Sequence, residues 1–207
     1  MKMKKFILFL NNSYPAKDNQ FYLELTKSRI KIAVDGGLRF FIRNKIKPDL
    51  LIGDLDSIPR VSQTYLSGIK TLIHPSKKNK TDSELALEYA LENLADDIII
   101  CGAISESQID HTLGNIFLLR LISNSSAKAS REINARIASP QSEIYLLNDS
   151  GVEIKGKKGD IVSILPLPGC DLVAYSNLDY PAPKEPIECG SSRTLRNRMI
   201  KSGYSVR

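Results

Sequence analysis

The chain has 207 residues, 42% of them hydrophobic, so it is long enough for one large core or two small ones. Its net charge of +6 favours an anionic partner, and a small phosphorylated ligand would satisfy that charge. The basic residues form no long stripe, and the chain has no Trp and only 6 Phe and 8 Tyr, which argues against nucleic-acid binding.

The start of the chain and its cysteines predict a cytoplasmic protein without a membrane span. Only five apolar residues, Phe6 to Leu10, follow the basic start, too few for a signal peptide or a transmembrane helix, so this run is predicted to be a strand. The three cysteines, Cys101, Cys170 and Cys189, have neither zinc-binding spacing nor a disulfide framework, which is typical of a reducing compartment.

Up to about residue 123, short apolar runs alternate with longer helix-like stretches. This pattern predicts an α/β domain with a mainly parallel sheet and crossover helices. Several of the runs end in Gly or Asp, at the carboxyl ends of strands where ligands of such sheets gather. The predicted strands are 6–10, 30–34, 50–52, 69–73 and 98–101.

Two helices and a domain boundary follow from shorter signals. Thr81 and Glu84 are spaced as a capping box, which predicts a helix from Thr81 onward, and a second helix is predicted over about 113–122. The small polar stretch 123–130 separates two compositions and predicts the boundary. We therefore assign residues 1–125 to the α/β domain and residues 131–207 to a second, smaller domain.

The second domain is predicted to be all-β and sandwich-like, because its apolar runs are short and are divided by turn signals. These runs are 143–147, 152–155, 161–165 and 172–175.

Acidic residues stand where two of the predicted strands end. Asp35 precedes Gly36 and Gly37, which would let the backbone turn sharply and approach a ligand. Asp54 and Asp56 follow the third strand with one residue between them, so in an extended backbone their carboxylates point the same way. Magnesium is typically held by one or two carboxylates together with phosphates and water. A solvated turn in which Asp56 caps a following helix is the alternative.

A basic loop, Lys77 to Lys80, leads directly into the helix that opens at Thr81. Lysine charges, free backbone N–H groups and the helix dipole all favour phosphate there. Asp82, in the first turn, either complements the dipole or serves as a further metal ligand.

The last informative segment runs from Gly102 to Asn115, after the fifth predicted strand. Asp110 and His111 stand at the start of the following helix, and Asn115 lies four residues after His111 on the same helix face. A histidine in this position is more often a capping or core hydrogen-bonding group than a catalyst.

In this order and spacing, the four segments resemble the thiamine pyrophosphokinase family, which converts thiamine to thiamine diphosphate. The resemblance covers nearly the whole chain. The matching segments are Asp35-Gly36-Gly37, Gly53-Asp54-Leu55-Asp56-Ser57, Lys78-Asn79-Lys80-Thr81-Asp82, and Gly102-Ala103 through Asp110-His111 with Asn115.

The resemblance implies transfer of the terminal pyrophosphoryl unit of ATP to thiamine, with release of AMP. It implies that Asp54, Asp56 and Asp82 hold Mg2+, that Asp35 completes the acidic cluster, and that Asp110 orients the hydroxyl or accepts its proton. It also implies a homodimer, in which residues 131–207 of the partner subunit supply the thiamine pocket to the nucleotide- and magnesium-binding domain. The implied nucleotide contacts are Ser57, Lys78, Thr81, Gln108, His111 and Asn115, and the implied thiamine contacts are Ser192 and Asn197.

Three segments depart from the family pattern. Asn79 stands where the family usually has Asp, and Gln108 stands in place of an Arg, in a loop that lacks two glycines and is one residue longer. Near the end of the chain, only Gly190, Ser192 and Asn197 match the family segment.

Two other functions therefore stay open. One is a catalytically degenerate, nucleotide-binding regulator, which the three departures suggest. The other is a phosphohydrolase that forms an aspartyl phosphate on one of the paired aspartates. In that scheme the pair would follow the first strand, whereas Asp54 and Asp56 follow the third, and Asp35 would have no role.

Overall fold

A computed structural model describes residues 3–54, 63–75, 79–147, 151–166, 173–202 and 204–206. The chain forms two compact units, Met1–Leu146 and Leu147–Arg207. Within the described residues, no helix is both long and apolar enough to cross a membrane.

The first unit is a seven-stranded sheet with helices on both faces, which confirms the predicted α/β class. Six strands are parallel, and β7 alone runs antiparallel to its neighbour β6. The five predicted strands are all present, each within about one residue of its predicted ends. The strands are β1 Lys5–Phe9, β2 Ile30–Val34, β3 Leu50–Gly53, β4 Lys70–Ile73, β5 Asp97–Cys101, β6 Asn134–Ala138 and β7 Glu143–Ile144; the helices are α1 Asn19–Thr26, α2 Leu38–Arg43, α3 Gln63–Leu66, α4 Asp82–Glu92 and α5 Ile109–Ala129.

The sheet is buried on both faces because alternate side chains of each central strand enter different cores. In β1, Phe6 and Leu8 join one apolar cluster, which includes residues of α4 and α5. Ile7 and Phe9 join the other, where the ring of Phe9 stacks on that of Phe40 from α2, with 4.3 Å between centroids. This double burial explains why the strands read as continuous apolar runs in the sequence.

The strand order β4-β3-β2-β1-β5-β6-β7 reverses direction beside β1. From β1 the chain moves outward through β2, β3 and β4, and then crosses back to add β5 on the opposite side of β1. Such a reversal opens a crevice at the carboxyl ends of the two strands, where ligands of open α/β sheets bind.

Helix α5 is longer than predicted, and the compact units divide later than the predicted boundary. The polar stretch 123–130 continues the helix to Ala129, because Ser and Ala are compatible with helix once Leu118 and Ile122 are packed in the core. The left-handed Ser130, with φ of 49°, ends it. Strands β6 and β7 then extend the first sheet, so residues 131–146 belong to the first unit and not to the second.

The second unit contains two short antiparallel strand pairs, in agreement with the predicted all-β composition. Strand β8 pairs with β11, and β9 pairs with β10, around a small core of Val173, Leu178, Ile187 and Met199. Of the predicted strand 172–175, Leu172 lies outside the described residues and the remainder belongs to no named strand. The strands are β8 Val152–Ile154, β9 Ile161–Val162, β10 Asn197–Arg198 and β11 Tyr204–Val206.

Candidate active site

A pocket of about 290 Å³ lies in the first unit, at the carboxyl ends of the strands around β1 and β5. It therefore occupies the crevice where the strand order reverses. The chain reaches it from four directions: after β1, after β2, at the start of α4 and from the loop between β5 and α5. The lining residues are Leu10, Asn11, Asn12, Val34, Asp35, Lys80, Thr81, Asp82, Ser83, Gly102, Ala103, Ser105, Gln108, His111 and Asn115.

Tyr14 joins β1 and β5 just below this pocket. Its hydroxyl donates to the backbone carbonyl of Leu10 at 2.7 Å and is 3.2 Å from that of Cys101. The side chain is buried against Phe9 and Phe40. This burial raises the pKa of Tyr14 well above its ordinary value, so the phenol stays a neutral donor.

Asn12 closes the same edge of the crevice. Its amide nitrogen donates to the carbonyls of Gly102, at 2.9 Å, and Ile104, at 2.6 Å, across the gap between the two strands. Beside it, Asn11 accepts a hydrogen bond from Arg39 Nη1 at 3.1 Å. The segment after β1 is thereby fixed to the loop after β5.

Asp35 follows β2 directly and lines the pocket in a left-handed backbone conformation, with φ of 45°. The two glycines after it were expected to let the backbone turn sharply, and residues 35–37 do form a tight turn, in which neither glycine has a positive φ. They are needed because the chain passes close to β1. A Cβ on Gly36 would lie 2.0 Å from Asn11 Oδ1, and one on Gly37 would lie 1.9 Å from the carbonyl oxygen of Phe9.

Asp54 is the first residue after β3, and the preceding Gly53 packs against the carboxylate of Asp35. Asp54 itself is half-buried. The two acidic segments therefore meet at adjacent strand ends, as the parallel β2–β3 pairing requires. Asp56 and Ser57, and also Lys78, were predicted to take part and lie outside the described residues.

The N-terminus of α4 forms another wall of the pocket. Thr81 caps it, because its hydroxyl accepts the backbone N–H of Glu84 at 3.2 Å, as the capping box predicted. A hydroxyl that accepts still has its own proton to donate. Asp82 and Ser83 line the pocket from the first turn, beside Lys80.

The loop from Gly102 to Gln108 is held in shape by Thr112. The Thr112 hydroxyl accepts the N–H of Ser105 at 2.9 Å and donates to its carbonyl at 3.0 Å. Asn115, half-buried on the next turn of α5, donates to the carbonyl of Ala103 at 3.1 Å. These three bonds fix the loop against α5.

Three further predicted residues come from the start of α5. Gln108 and His111 line the pocket with exposed side chains. Asp110 is exposed in the first turn but does not belong to the lining. Asp54 lies beside the pocket, directly after the end of β3. The predicted residues that the structure brings together in the pocket lining are Asp35, Thr81, Asp82, Gln108, His111 and Asn115.

The described part of the chain contains no group of three or more His, Cys, Asp or Glu side chains arranged to hold a metal ion. The donors that do stand at the pocket are carboxylate, hydroxyl and amide oxygens, the ligands preferred by a hard divalent cation. Magnesium usually needs only one or two carboxylates, since phosphates and water complete its shell. The chemistry of Asp35 and Asp82 is compatible with such a site.

The two predicted thiamine contacts lie in the second unit. Ser192 is exposed, whereas Asn197 is only 4% exposed and is engaged by the backbone. Asn197 Oδ1 accepts the N–H of Tyr180 at 2.9 Å, and its amide nitrogen donates to the Tyr180 carbonyl at 2.9 Å. Asn197 therefore fixes the backbone of Tyr180, whose side chain is 68% exposed.

Several residues of this site were not predicted from the sequence. Asn11 and Asn12 follow a predicted strand, which was a usable signal, but only the strand order shows that β1 borders the crevice. Thr112 had no distinctive signal. Lys80 belonged to the predicted phosphate-binding segment, and Ser83 to the predicted start of α4, but neither was singled out there.

Comparison with known proteins gives one consistent family. Residues 21–130, just over half of the chain, match the family model for thiamin pyrophosphokinase, catalytic domain. The thiamine pyrophosphokinase of Bacillus subtilis (strain 168) is 29% identical over 175 residues, which span 83% of this chain and 78% of that protein.

Solved structures agree with this result. The crystal structure of thiamine pyrophosphokinase from Bacillus subtilis superimposes with a TM-score of 0.78 at 25% identity, over 98% of this chain and 93% of the other. Thiamin pyrophosphokinase from Candida albicans shares the fold, with a TM-score of 0.79 at 18% identity over 99% and 85% of the two chains.

Proposed function

Because this chain belongs to the thiamine pyrophosphokinase family, we propose that it transfers the pyrophosphoryl group of ATP to the hydroxyl of thiamine and releases AMP. The observation that carries this proposal is the pocket at the strand-order reversal. It unites residues from three of the four segments that resemble the family, and the fourth adjoins it through the contact of Gly53 with Asp35.

The phosphates of ATP bind between the N-termini of α4 and α5. Thr81 can donate its hydroxyl proton to a phosphate oxygen, and the backbone N–H groups of the first turn of α4 favour an anion there. Gln108, His111 and Asn115 provide neutral or weakly basic polar groups on the opposite wall. Ser57 and Lys78 remain proposed contacts outside the described residues.

Asp54, Asp56 and Asp82 are the proposed ligands of Mg2+, with Asp35 adjacent. When bound, the ion would neutralise charge on the phosphate oxygens and orient the transferred group. Asp35 is suited to a positioning role, because its carboxylate is fixed against Gly53 and its backbone conformation is constrained. The chain itself thus positions the Asp35 carboxylate before substrate binds.

The thiamine hydroxyl must approach the β-phosphorus for AMP to be the leaving group. Asp110 is proposed to orient this hydroxyl or accept its proton, since it is exposed at the start of α5, beside the pocket-lining His111. In the second unit, Ser192 is proposed to contact thiamine. Asn197 would act indirectly, by holding the backbone of Tyr180.

A homodimer is proposed as the working form. Helix α5 supports it, because four of its large apolar side chains are exposed at intervals of four residues, an arrangement typical of a surface covered by a partner. These side chains are Ile109, 62% exposed, Leu113, 51%, Phe117, 55%, and Leu121, 40%. Light scattering should give twice the chain mass, and Phe117→Glu should give a monomer if α5 is part of the interface.

A reducing compartment such as the cytoplasm is the proposed location. Cys101 is a buried free thiol and Cys189 an exposed one, which agrees with a protein that does not depend on disulfides.

The test is to incubate the purified protein with ATP, magnesium and thiamine and to separate the products by chromatography. Thiamine diphosphate and AMP should form in equal amounts, and neither ADP nor free phosphate should accumulate. Thiamine monophosphate with ADP would indicate an ordinary kinase instead. Phosphate release without thiamine would indicate the phosphohydrolase, and ATP binding without turnover would indicate the regulator.

A further inference from the structure

The described lining of the pocket carries little positive charge for a polyphosphate site. Its described lining contains two carboxylates, Asp35 and Asp82, and one permanently charged cation, Lys80. Gln108, on the opposite wall, is neutral. Because ATP brings several negative charges into the same space, a cation within the described lining has a large electrostatic effect on its binding.

The charge of Lys80 is engaged by a side chain of α4. Its ammonium group forms an ion pair with Glu88, which lies on the second turn of α4 and outside the pocket lining. The two side chains are 44% and 37% exposed. The hydrogen bond to Glu88 raises the pKa of Lys80, and the carboxylates of Glu84 and Glu92 act in the same direction, so the ammonium stays charged at neutral pH.

We propose that Lys80 is a phosphate-binding residue that leaves Glu88 and contacts the terminal phosphates when ATP enters the pocket. Glu88 is then a positioning residue, which holds the Lys80 side chain along α4 before ATP binds. This inference rests on the proposed function in one respect, namely that the pocket binds ATP.

The exchange is physically reasonable because the ion pair that is lost is weak. Both partners are partly solvated, and an exposed Lys–Glu pair contributes little net stability. A phosphate beside a helix N-terminus offers the ammonium a more highly charged acceptor. Lysine is suited to this exchange, since its compact charge sits on a flexible stem and has no fixed donor geometry.

The experiment compares the binding of ATP and AMP by calorimetry, in the full-length protein with magnesium. Lys80→Met should weaken ATP binding by about 10- to 100-fold, the effect expected for one hydrogen bond between charged groups. AMP, which lacks the terminal phosphates, should lose less than about threefold. Lys80→Arg keeps the charge and should retain most of the ATP affinity.

Lys27→Met is the matched control. Lys27 forms a similar exposed ion pair with Glu24, but it follows α1, at the end of the sheet opposite the pocket. It should leave the binding of both nucleotides unchanged. A general effect of removing a lysine would appear in this variant too.

Glu88→Gln tests the exchange itself. It should tighten ATP binding in the wild-type background, because Lys80 no longer has to leave a carboxylate, and should have no effect in Lys80→Met. Unchanged ATP affinity in Lys80→Met, or an equal loss for ATP and AMP, would overturn the inference. An effect of Glu88→Gln on ATP binding that persists in the Lys80→Met background would also overturn the inference.

The outcome is separable from that of the proposed function. If ATP binds through Lys80 but no thiamine diphosphate forms, the inference stands and the proposed reaction falls. If thiamine diphosphate forms but Lys80→Met binds ATP normally, the proposed reaction stands and the inference about Lys80 falls. Absence of ATP binding by the wild-type protein would overturn both.

Discussion

Asp35 and Gly53 fit against each other so closely that a Cβ on Gly53 would lie 1.6 Å from Asp35 Oδ1. The two residues end adjacent parallel strands, β2 and β3. Gly53 has φ of 148°, and Asp35 has φ of 45°, so both backbones are in regions that most residues avoid. The position of one pocket carboxylate thus depends on the absence of a side chain on the neighbouring strand.

Gly53→Ala should therefore displace Asp35 and damage the site. We expect a loss of about 1–3 kcal/mol in unfolding free energy from the strained backbone and the clash. Activity should fall by about 100-fold, because a shift of about 1 Å in a positioned group is enough for such a loss. Denaturant unfolding and thiamine diphosphate formation measure the two effects.

Gly68→Ala is the control for this substitution. Gly68 also has a positive φ, of 82°, but a Cβ there would meet no atom within 4 Å. It should reproduce the backbone strain without the loss of activity. Equal activity in the two variants would mean that the position of Asp35 is unimportant.

Asp54→Asn and Asp56→Asn should each lower activity by at least about 100-fold while preserving the fold. Each removes a proposed metal ligand and also relieves repulsion between carboxylates, so the thermal midpoint without metal should hold or rise. Asp49→Asn, at the opposite end of β3, should leave turnover intact. Near-normal turnover of either site variant with magnesium would refute the metal assignment.

Gln108→Arg should tighten ATP binding, because it adds a cation to the pocket wall. The expected gain is about 1.5–3 kcal/mol, the range for a hydrogen bond to a charged group. Ser107→Arg adds the same charge one residue earlier, outside the pocket lining, and should have a much smaller effect. If ATP affinity is the same in both variants, Gln108 does not face the phosphates.

The strands and the acidic strand ends could be predicted from the sequence because each depends on local pattern. Runs such as Ile30–Val34 are buried on both faces and are therefore continuously apolar. Thr81 and Glu84 are three residues apart, so the capping bond between them is also local.

The missed parts depend on contacts that are distant in sequence. Asn12 bonds to Gly102 and Ile104, about 90 residues away, so its role appears only when β5 is known to lie beside β1. Similarly, the stretch after Ile122 looked like a linker because its own composition is polar. Its helical conformation is stabilised by the packing of the preceding turns of α5 and not by local sequence.

The loop that carries Gln108 should depend on the Thr112 hydroxyl. Thr112→Val keeps the shape of the side chain but removes both bonds to Ser105, and should cost about 1–3 kcal/mol of stability. Nucleotide binding should weaken as the loop loosens. Thr112→Ser retains the hydroxyl and should restore both properties; failure of this rescue would mean that the methyl group, rather than the hydrogen bonds, is what matters.

Tyr14 should make the stability of the protein fall at alkaline pH. Its pKa is raised by burial, so the folded protein keeps the phenol proton at pH values where the unfolded chain, with a pKa near 10, has lost it. Above about pH 10 the unfolded state therefore binds fewer protons than the folded state, and the free energy of unfolding falls as pH rises. Tyr14→Phe removes this contribution. It should be less stable than wild type at pH 7, by about 1 kcal/mol for the lost hydrogen bonds to Leu10 and Cys101, but its stability should decline less steeply above pH 10.

Urea unfolding at pH 7, 9, 10 and 11, values chosen to span the phenol pKa near 10, measures both effects. Tyr22→Phe is the comparison, since burial raises the pKa of Tyr22 to about 12 and should give a reduction in slope of the same sign. Parallel stability curves for Tyr14→Phe and wild type would show that Tyr14 ionises as readily in the folded protein as in the unfolded chain.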